Sequence, residues 1–392
     1  VVNPGSSSLK LAVVAPDGKV LATETLDHVD GQVEERAITE VLERLPTVVA
    51  AAVRVVHGGA NFTAPTLVDE KVIEALAGLS DLAPLHNPPA VAALRALVAT
   101  RPDLPVVVCF DTAFHATLSP AASTYAVPIH WRTGWGIRRF GFHGLSHAYA
   151  ARRAGQLLGR PLGDLALVTC HLGAGASLAA VDGGSSVDTT MGFTPMDGLV
   201  MATRSGSVDP GALLWVMRHH GFTAAGLEAI LDRHSGLAGL SGEPSGDLRA
   251  VLAAAARPPA AGEKAAARGM GVGMDSGIDN GIGSGLDPER ARLAVGVYLH
   301  RLRAGIAAMV AALGRLDAVV FTGGVGEASP AVRSGAITGL GFLGVAIDEA
   351  RNEACRGDDD LSAPDARAAT LVVVAREDLQ IALEVRELLG QR

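Results

Sequence analysis

Apolar and polar positions along the chain fall into short strand-like runs broken by glycine-rich turns, with longer stretches of helical spacing between them. Near the start, the turn Asn3-Pro4-Gly5-Ser6-Ser7-Ser8 leads into an apolar run at 9–15, then Pro16-Asp17-Gly18-Lys19, then a second run at 20–26. An Asp-Gly pair between two such runs predicts a tight β-hairpin. The same order returns in mid-chain: a run at 165–170, the turn His171-Leu172-Gly173-Ala174-Gly175, a run at 176–181, the turn Asp182-Gly183-Gly184 and a run at 185–190. A further run at 317–321 enters Thr322-Gly323-Gly324-Val325-Gly326-Glu327, read as a third glycine-rich turn. Helical spacing covers 35–45, 89–99, 146–158 and 288–313. Alternating strands and helices predict an α/β fold, and the repeated opening predicts two related halves. Residues 257–287 break the pattern with Pro-Pro, repeated Ala and alternating Gly; no regular element survives such a composition, so this stretch is expected to be a mobile surface insertion.

Composition narrows the function. With 392 residues, 48% of them hydrophobic, the chain has room for two domains with a core each. It carries 33 basic and 41 acidic residues, a net charge of −8, without a basic tract suited to a phosphate backbone or an anionic membrane. Nucleic acid is therefore not an expected partner. The three cysteines, Cys109, Cys170 and Cys355, are odd in number and far apart, which predicts neither a disulfide framework nor a Cys-based metal site and points to a reducing cytoplasm. Apolar runs such as 106–110 and 371–375 are far short of a membrane span, and no leader peptide is expected.

The turns offer phosphate-binding chemistry. Glycine lets backbone N–H groups approach an anion, Ser6, Ser7 and Ser8 add hydroxyl donors, and Lys10 adds positive charge. The first turn is not a Walker A loop, since GxxxxGK[ST] is absent and a strand follows. A lone glycine turn is usually only a turn; three together suggest a cleft that closes on a nucleotide. Arg54 sits in an apolar strand ahead of Gly58-Gly59, where a buried cation needs either a protein carboxylate or a bound anion, the anion being at least as plausible. Asp111 follows the apolar run 106–110, and Arg204 lies in Thr203-Arg204-Ser205-Gly206; each could equally be a structural ion pair. The spacing of His143 and His147 is a weak metal signal without HExxH, so His143 is better read as a hydrogen-bonding or charge-stabilising group.

Taken in order, Asn3-Pro4-Gly5-Ser6-Ser7-Ser8-Leu9-Lys10, residues 54–59, Phe110-Asp111-Thr112-Ala113-Phe114-His115, residues 141–147, residues 188–198 and Arg204-Ser205-Gly206 resemble the acetate kinase family. The resemblance runs from the first turn to the last helix and sets only 257–287 apart. It implies the acetate and sugar kinase, Hsp70 and actin superfamily fold, two ribonuclease H-like domains of duplicated βββαβα type around an interdomain nucleotide cleft. The expected division is residues 1–112 with a returning helix at 378–392, and residues 113–377. The implied reaction is reversible, Mg2+-dependent, in-line transfer of the ATP γ-phosphoryl group to acetate, giving acetyl phosphate and ADP, with Mn2+ as an alternative ion and a homodimer as the assembly.

The resemblance also implies roles. Asn3 and Glu377 would hold the metal, although Glu377 reads on its own as an ordinary helix start. Ser6, Ser8 and Lys10 would face the phosphates. Arg54 would bind the acyl carboxylate, Asp111 would be the essential acid, and His143 and Arg204 would stabilise the phosphoryl group. His171, Leu172, Gly173, Ala174 and Gly175 would contact ATP, as would Asp247, Leu248, Arg249, Gly324, Val325, Gly326, Glu327 and Ala328. Val56, Leu85, Phe142 and Pro195 would line the acyl pocket with His86 nearby, a lining suited to a methyl group. The family pattern has Asn where this chain has Ala174 and again where it has Ala328, which predicts weaker or less selective nucleotide binding with catalysis intact. The rival readings are a propionate or butyrate kinase, a catalytically impaired relative, and, from another class, a nucleotide-switched binding protein of the actin or Hsp70 kind; Arg54, His143 and Arg204 speak against the last.

Overall fold

The computed structural model describes residues 1–4, 8–27, 39–41, 44, 46, 48–84, 86–258 and 286–390. The expected helix at 35–45 falls mostly outside these residues, and most of the insertion at 257–287 does too.

Two six-stranded sheets are built on one plan. The first contains β1 (Val2–Pro4), β2 (Ser8–Val14), β3 (Val20–Asp27), β4 (Ala51–Val55), β5 (Thr66–Leu67) and β6 (Val106–Phe110), in the order β3-β2-β1-β4-β6-β5. The second contains β7 (Ala166–Leu172), β8 (Ala176–Asp182), β9 (Ser185–Thr189), β10 (Ala318–Thr322), β11 (Asp359–Asp360) and β12 (Ala369–Val372), in the order β11-β12-β10-β7-β8-β9. Read from the opposite edge, the second sheet repeats the first strand for strand. In each, three antiparallel strands are followed by two parallel ones and a short antiparallel edge. The duplicated hairpin of the sequence is thus the duplicated half of each sheet.

The third glycine-rich turn takes a different form. After Thr322, Gly323 adopts φ 79° and residues Gly323–Ala328 form a short helix. β10 lies between two parallel neighbours, β7 and β12, and a parallel strand must be left by a crossover; a hairpin cannot do it.

β6 is buried along its whole length because both faces of the first sheet are covered. Val106, Val108 and Phe110 pack with Leu94 and Leu97 of helix Asn87–Thr100. Val107 and Cys109 face the other way, against Leu145 of helix Gly144–Leu158 and Ile381 and Val385 of helix Glu377–Leu388. Helix Gly144–Leu158 also presents Ala150 and Ala154 to Leu167 and Val181 of the second sheet, so one helix sits between the two sheets. Helix Pro288–Leu313 is long and apolar enough to cross a membrane by length and composition, yet its stripe of Ala291, Ala294, Tyr298, Leu302, Ile306 and Met309 is buried in the core on the second sheet.

Helix Gly144–Leu158 begins where it does because of one glycine. The Gly144 N–H donates to the Asp111 carbonyl at 2.9 Å, and a Cβ at this position would lie 2.2 Å from that oxygen. His143, just before it, has φ 57° and is the non-glycine residue with positive φ among those described. Such a backbone is held by its surroundings and is frequent at functional sites.

Candidate active site

The first sheet delivers its charged groups from strand ends. β4 and β6 are parallel neighbours, so Arg54 and Asp111 emerge together at their C-terminal ends. Arg54 Nε donates to Asp111 Oδ1 at 2.8 Å and Nη2 to Oδ2 at 2.5 Å, a two-pronged pair with Asp111 almost wholly buried. Arg54 Nη1 donates to Asn3 Oδ1 at 2.9 Å, and Asn3 Nδ2 donates to Glu377 Oε2 at 3.3 Å. Arg54 Nε lies 3.8 Å from the same Glu377 oxygen. Burial alone would lower the Arg54 pKa, but Asp111 and then Glu377 raise it above its ordinary value, so the cation is permanent. The protein carboxylate that the sequence left as one alternative for Arg54 is therefore present. The guanidinium N–H groups not used by Asp111 and Asn3 remain for a ligand.

Lys10 stands opposite Asn3 in the β1–β2 register, and Ser8 lies two residues along β2 on the same side. Lys10 is exposed, as a phosphate-facing lysine must be. Ser6 lies outside the described residues.

The second sheet and its loops supply the facing wall. The His143 and His171 rings stack with centroids 4.2 Å apart. His143 Nδ1 is 2.9 Å from Ser177 Oγ, and His171 Nδ1 is 2.8 Å from Ser146 Oγ. Burial first, then His171, His147, Arg54 and Arg204, push the His143 pKa well below its ordinary value. Gly175 sits against this pair: a Cβ there would be 3.3 Å from both Arg204 Nη2 and His143 Nε2. Arg204 Nη1 donates to the Pro195 carbonyl at 2.8 Å, and its Nε lies 3.7 Å from Asp232 Oδ1.

A cavity of about 510 Å3 opens beside this wall, lined by Gly173, Ala174, Asp247, Leu248, Arg249, Gly324, Val325 and Ala328, with Tyr298 and Gly246. Ala174 and Ala328, where the resemblance leads one to expect Asn, both line it. Asp247 caps helix Leu248–Ala255 by accepting from the Arg249 N–H, and its carboxylate also pairs with the Arg249 side chain. Other expected nucleotide residues are placed differently. Leu172 is wholly buried, leaving its backbone alone for contact. Gly326 is buried, and its carbonyl accepts from Arg333. Glu327 Oε1 accepts from the Ala375 N–H, and the residue lines a separate cavity of about 480 Å3 with Glu353 and Arg356.

Of the residues expected to line an acyl pocket, Val56 and Phe142 are buried in one cluster with Ala83, and Pro195 is fixed to Arg204 through its carbonyl. Leu85 lies outside the described residues. His86 begins helix Asn87–Thr100, and burial, then Arg54 and Arg204, push its pKa down to about 4.

Several residues here are given no role by the sequence, His57 among them although it lies within the 54–59 motif. His57 is buried edge-on against Phe140 and Phe142, with ring centroids 4.6 and 5.3 Å away. Asn87 holds the His57 backbone at both its N–H and its carbonyl. Ser177, Asp232 and Tyr298 are equally silent; the Tyr298 hydroxyl, buried beside the cavity, has no hydrogen-bond partner among the described residues. Gly144 had a signal, a glycine directly after His143, whose meaning only the approach of Asp111 reveals.

Comparison with known proteins bears on this geometry. A model of the acetokinase family matches residues 22–272 and 283–383. An acetate kinase of Deinococcus radiodurans is 42% identical over an alignment 421 positions long, gaps included, covering 100% of this chain and 98% of that protein. An acetate kinase of Trichormus variabilis is 43% identical over 356 residues, covering 91% of this chain and 80% of that protein. Among solved structures, Porphyromonas gingivalis acetate kinase superposes with a TM-score of 0.84 at 32% identity, covering 99% of this chain and 98% of its own. A propionate kinase from Francisella tularensis gives 0.83 at 30% identity, covering 98% and 97%.

Proposed function

The chain belongs to the acetokinase family, and on that footing we propose that it is an acetate kinase, a phosphotransferase with a carboxyl group as acceptor and ATP and ADP as co-substrates. The observation that carries the reading to the residues is the Arg54–Asp111 fork facing the His143–Arg204 wall. A carboxylate with a pKa of roughly 4 is ionised at neutral pH, so no base is needed to activate it. Its oxygen attacks the terminal phosphorus in line as the bond to the bridging oxygen breaks, and that oxygen leaves with ADP. Catalysis is then positioning and charge. Arg54 supplies a fixed guanidinium to the acyl carboxylate. Arg204, Lys10 and His143 surround the transferring group.

Asp111 takes no proton in this scheme. Its two oxygens are given to Arg54, which aligns the guanidinium. Asn3 and Glu377 carry the amide and carboxylate oxygens that a hard cation such as Mg2+ or Mn2+ takes, but Asn3 Oδ1 here accepts from Arg54 and Glu377 from Asn3, so a bound ion would have to displace those bonds while keeping most of its waters and the substrate phosphates. Among the described residues there is no cluster of His, Cys, Asp and Glu of the sort a softer metal needs. When bound, the ion would neutralise charge on the β- and γ-phosphates.

The nucleotide would lie in the cavity under Ala174 and Ala328, and the acyl group against Val56 and Phe142. Closure of the two sheets on the cleft would exclude water and limit ATP hydrolysis. A homodimer is supported by helix Pro210–His220, which buries none of its residues and exposes Leu214 and Trp215. The cysteines, buried and free, suit a cytoplasmic location.

Trapping of acyl phosphate with hydroxylamine, with acetate, propionate and butyrate compared, tests the reading. Acetate should give the highest kcat/KM, and absence of product with all of them would sink it. Light scattering of the native chain and of Trp215→Glu tests the dimer: the native mass should be twice that of the variant.

A further inference from the structure

Ser177 of β8 lies between two imidazoles, its Oγ 2.9 Å from His143 Nδ1 and 2.8 Å from His147 Nε2. A hydroxyl has one proton, so it donates to one ring and accepts from the other. His147 decides which. Its remaining nitrogen, Nδ1, lies 2.7 Å from Thr169 Oγ1, and Thr169 has an acceptor for its own proton in the Ala179 carbonyl at 3.4 Å. With Thr169 donating there, it accepts from His147 Nδ1–H. Burial, with His115 and His171 alongside, pushes the His147 pKa well below its ordinary value, so the ring is neutral near pH 7 and its Nε2 is an acceptor. Ser177 therefore donates to His147 and accepts from His143 Nδ1–H.

The opposite direction is disfavoured at the cleft. It would place the His143 proton on Nε2, and Nε2 and Arg204 Nη2 are each 3.3 Å from the same point beside Gly175. A lone pair facing a guanidinium is attracted, whereas an N–H is repelled. The charged and titratable groups facing His143 are His171 from β7, His147 from its own helix, Arg54 from β4 and Arg204 from the loop after β9. None of these four is a carboxylate; Asp111 and Glu377 act on His171, the ring stacked on His143.

We propose that Ser177, set by His147 and Thr169, holds the single proton of His143 on Nδ1, so that Nε2 faces the cleft as a lone pair and His143 meets a phosphoryl oxygen only after taking up a second proton. The proton comes from solvent, binds Nε2 as the anion arrives, and returns to solvent when the anion leaves. Ser177 and His147 are positioning residues. The imidazolium then donates at Nε2 to the transferring group while Nδ1–H stays on Ser177. A hydrogen bond from a charged donor is roughly twice as strong as one between neutral groups, which gives the uptake its use.

The test reads the imidazole nitrogens directly. Protein labelled with 15N at histidine is examined by NMR near pH 7, free and with saturating acetyl phosphate, and the His143 signals are identified by their loss in His143→Gln. The free protein should show His143 protonated at Nδ1 alone, and the complex should show both nitrogens protonated. An Nε2–H tautomer in the free protein, or a neutral His143 in the complex, overturns the proposal. Ser177→Ala should give a mixture of tautomers and a kcat lowered about tenfold with the KM for ATP unchanged; Nδ1–H at full kcat would also overturn it. If Ser177→Ala does not fold, the native spectra decide. The inference rests on the phosphoryl-transfer reading only for its ligand: the free tautomer is read without substrate, and hydroxylamine trapping fails or succeeds independently of it.

Discussion

Arg54 and Asp111, 57 residues apart in sequence, meet as a two-pronged ion pair at the ends of adjacent parallel strands. Asp111 thereby acts as an orienting group for a cation. Arg54→Lys keeps the charge but loses the fork and should lower kcat/KM by about 10² to 10³. Asp111→Asn should cost a similar amount, and the double variant little more than either single one. Steady-state kinetics on the three variants checks this. Additive losses would mean that the two residues act separately, and an Asp111→Asn enzyme that kept most of its activity would remove Asp111 from the mechanism.

Ala174 and Ala328 line the cavity proposed for the nucleotide and bring no side-chain hydrogen-bonding group to it. Restoring one such bond is worth about 0.5–1.5 kcal/mol, so Ala174→Asn should lower the KM for ATP by roughly 2- to 10-fold while kcat and the KM for acetate stay fixed. A KM for ATP that does not fall counts against the idea that this position weakens nucleotide binding.

Acid should unfold the protein through its buried histidines. Burial pushes His57 and His115 from the ordinary 6.5 to about 4. Between those values the unfolded chain binds protons that the folded chain does not, so stability rises with pH across this window and is lost as pH falls from about 6.5 towards 4. Each group contributes on the order of 3 kcal/mol to the stability lost across that window. Urea unfolding at pH 7, 5.5 and 4.5 measures it. His57→Phe should flatten the dependence, and an unchanged slope would mean that His57 takes up protons alike in the native and unfolded chains.

Acyl selectivity should respond to Val56. Val56→Ala enlarges the buried cluster shared with Phe142 and should shift the ratio of kcat/KM for propionate over acetate upward by about 1–3 kcal/mol, roughly 10-fold or more. The hydroxylamine assay with both acids reads it. A ratio unmoved by the change would place the acyl group elsewhere.

Features with a short period were legible in the chain. Asp17-Gly18 and Asp182-Gly183 between apolar runs announced both hairpins, and helix Pro288–Leu313 matched its spacing to the residue. Features made by sheet order were not. The Arg54–Asp111 pair requires β4 and β6 to be neighbours, which no local pattern states, and Ser177 gains its role only because β8 runs beside the helix that carries His147. The third glycine run reads as a turn by composition, yet its parallel neighbours turn it into a helix. The family motifs supplied Arg54, His143 and Arg204 as a set. Asp232, which lies beside Arg204, appears in none of them.

Glu377 reaches its partner Asn3 across 374 residues of chain. The carboxylate that joins Asn3 and Arg54 therefore comes from a segment synthesised after every strand of both sheets. The helix that carries it also covers Val107 and Cys109 of the first sheet, so one late segment ties the core of that sheet to the Asn3–Arg54–Asp111 group.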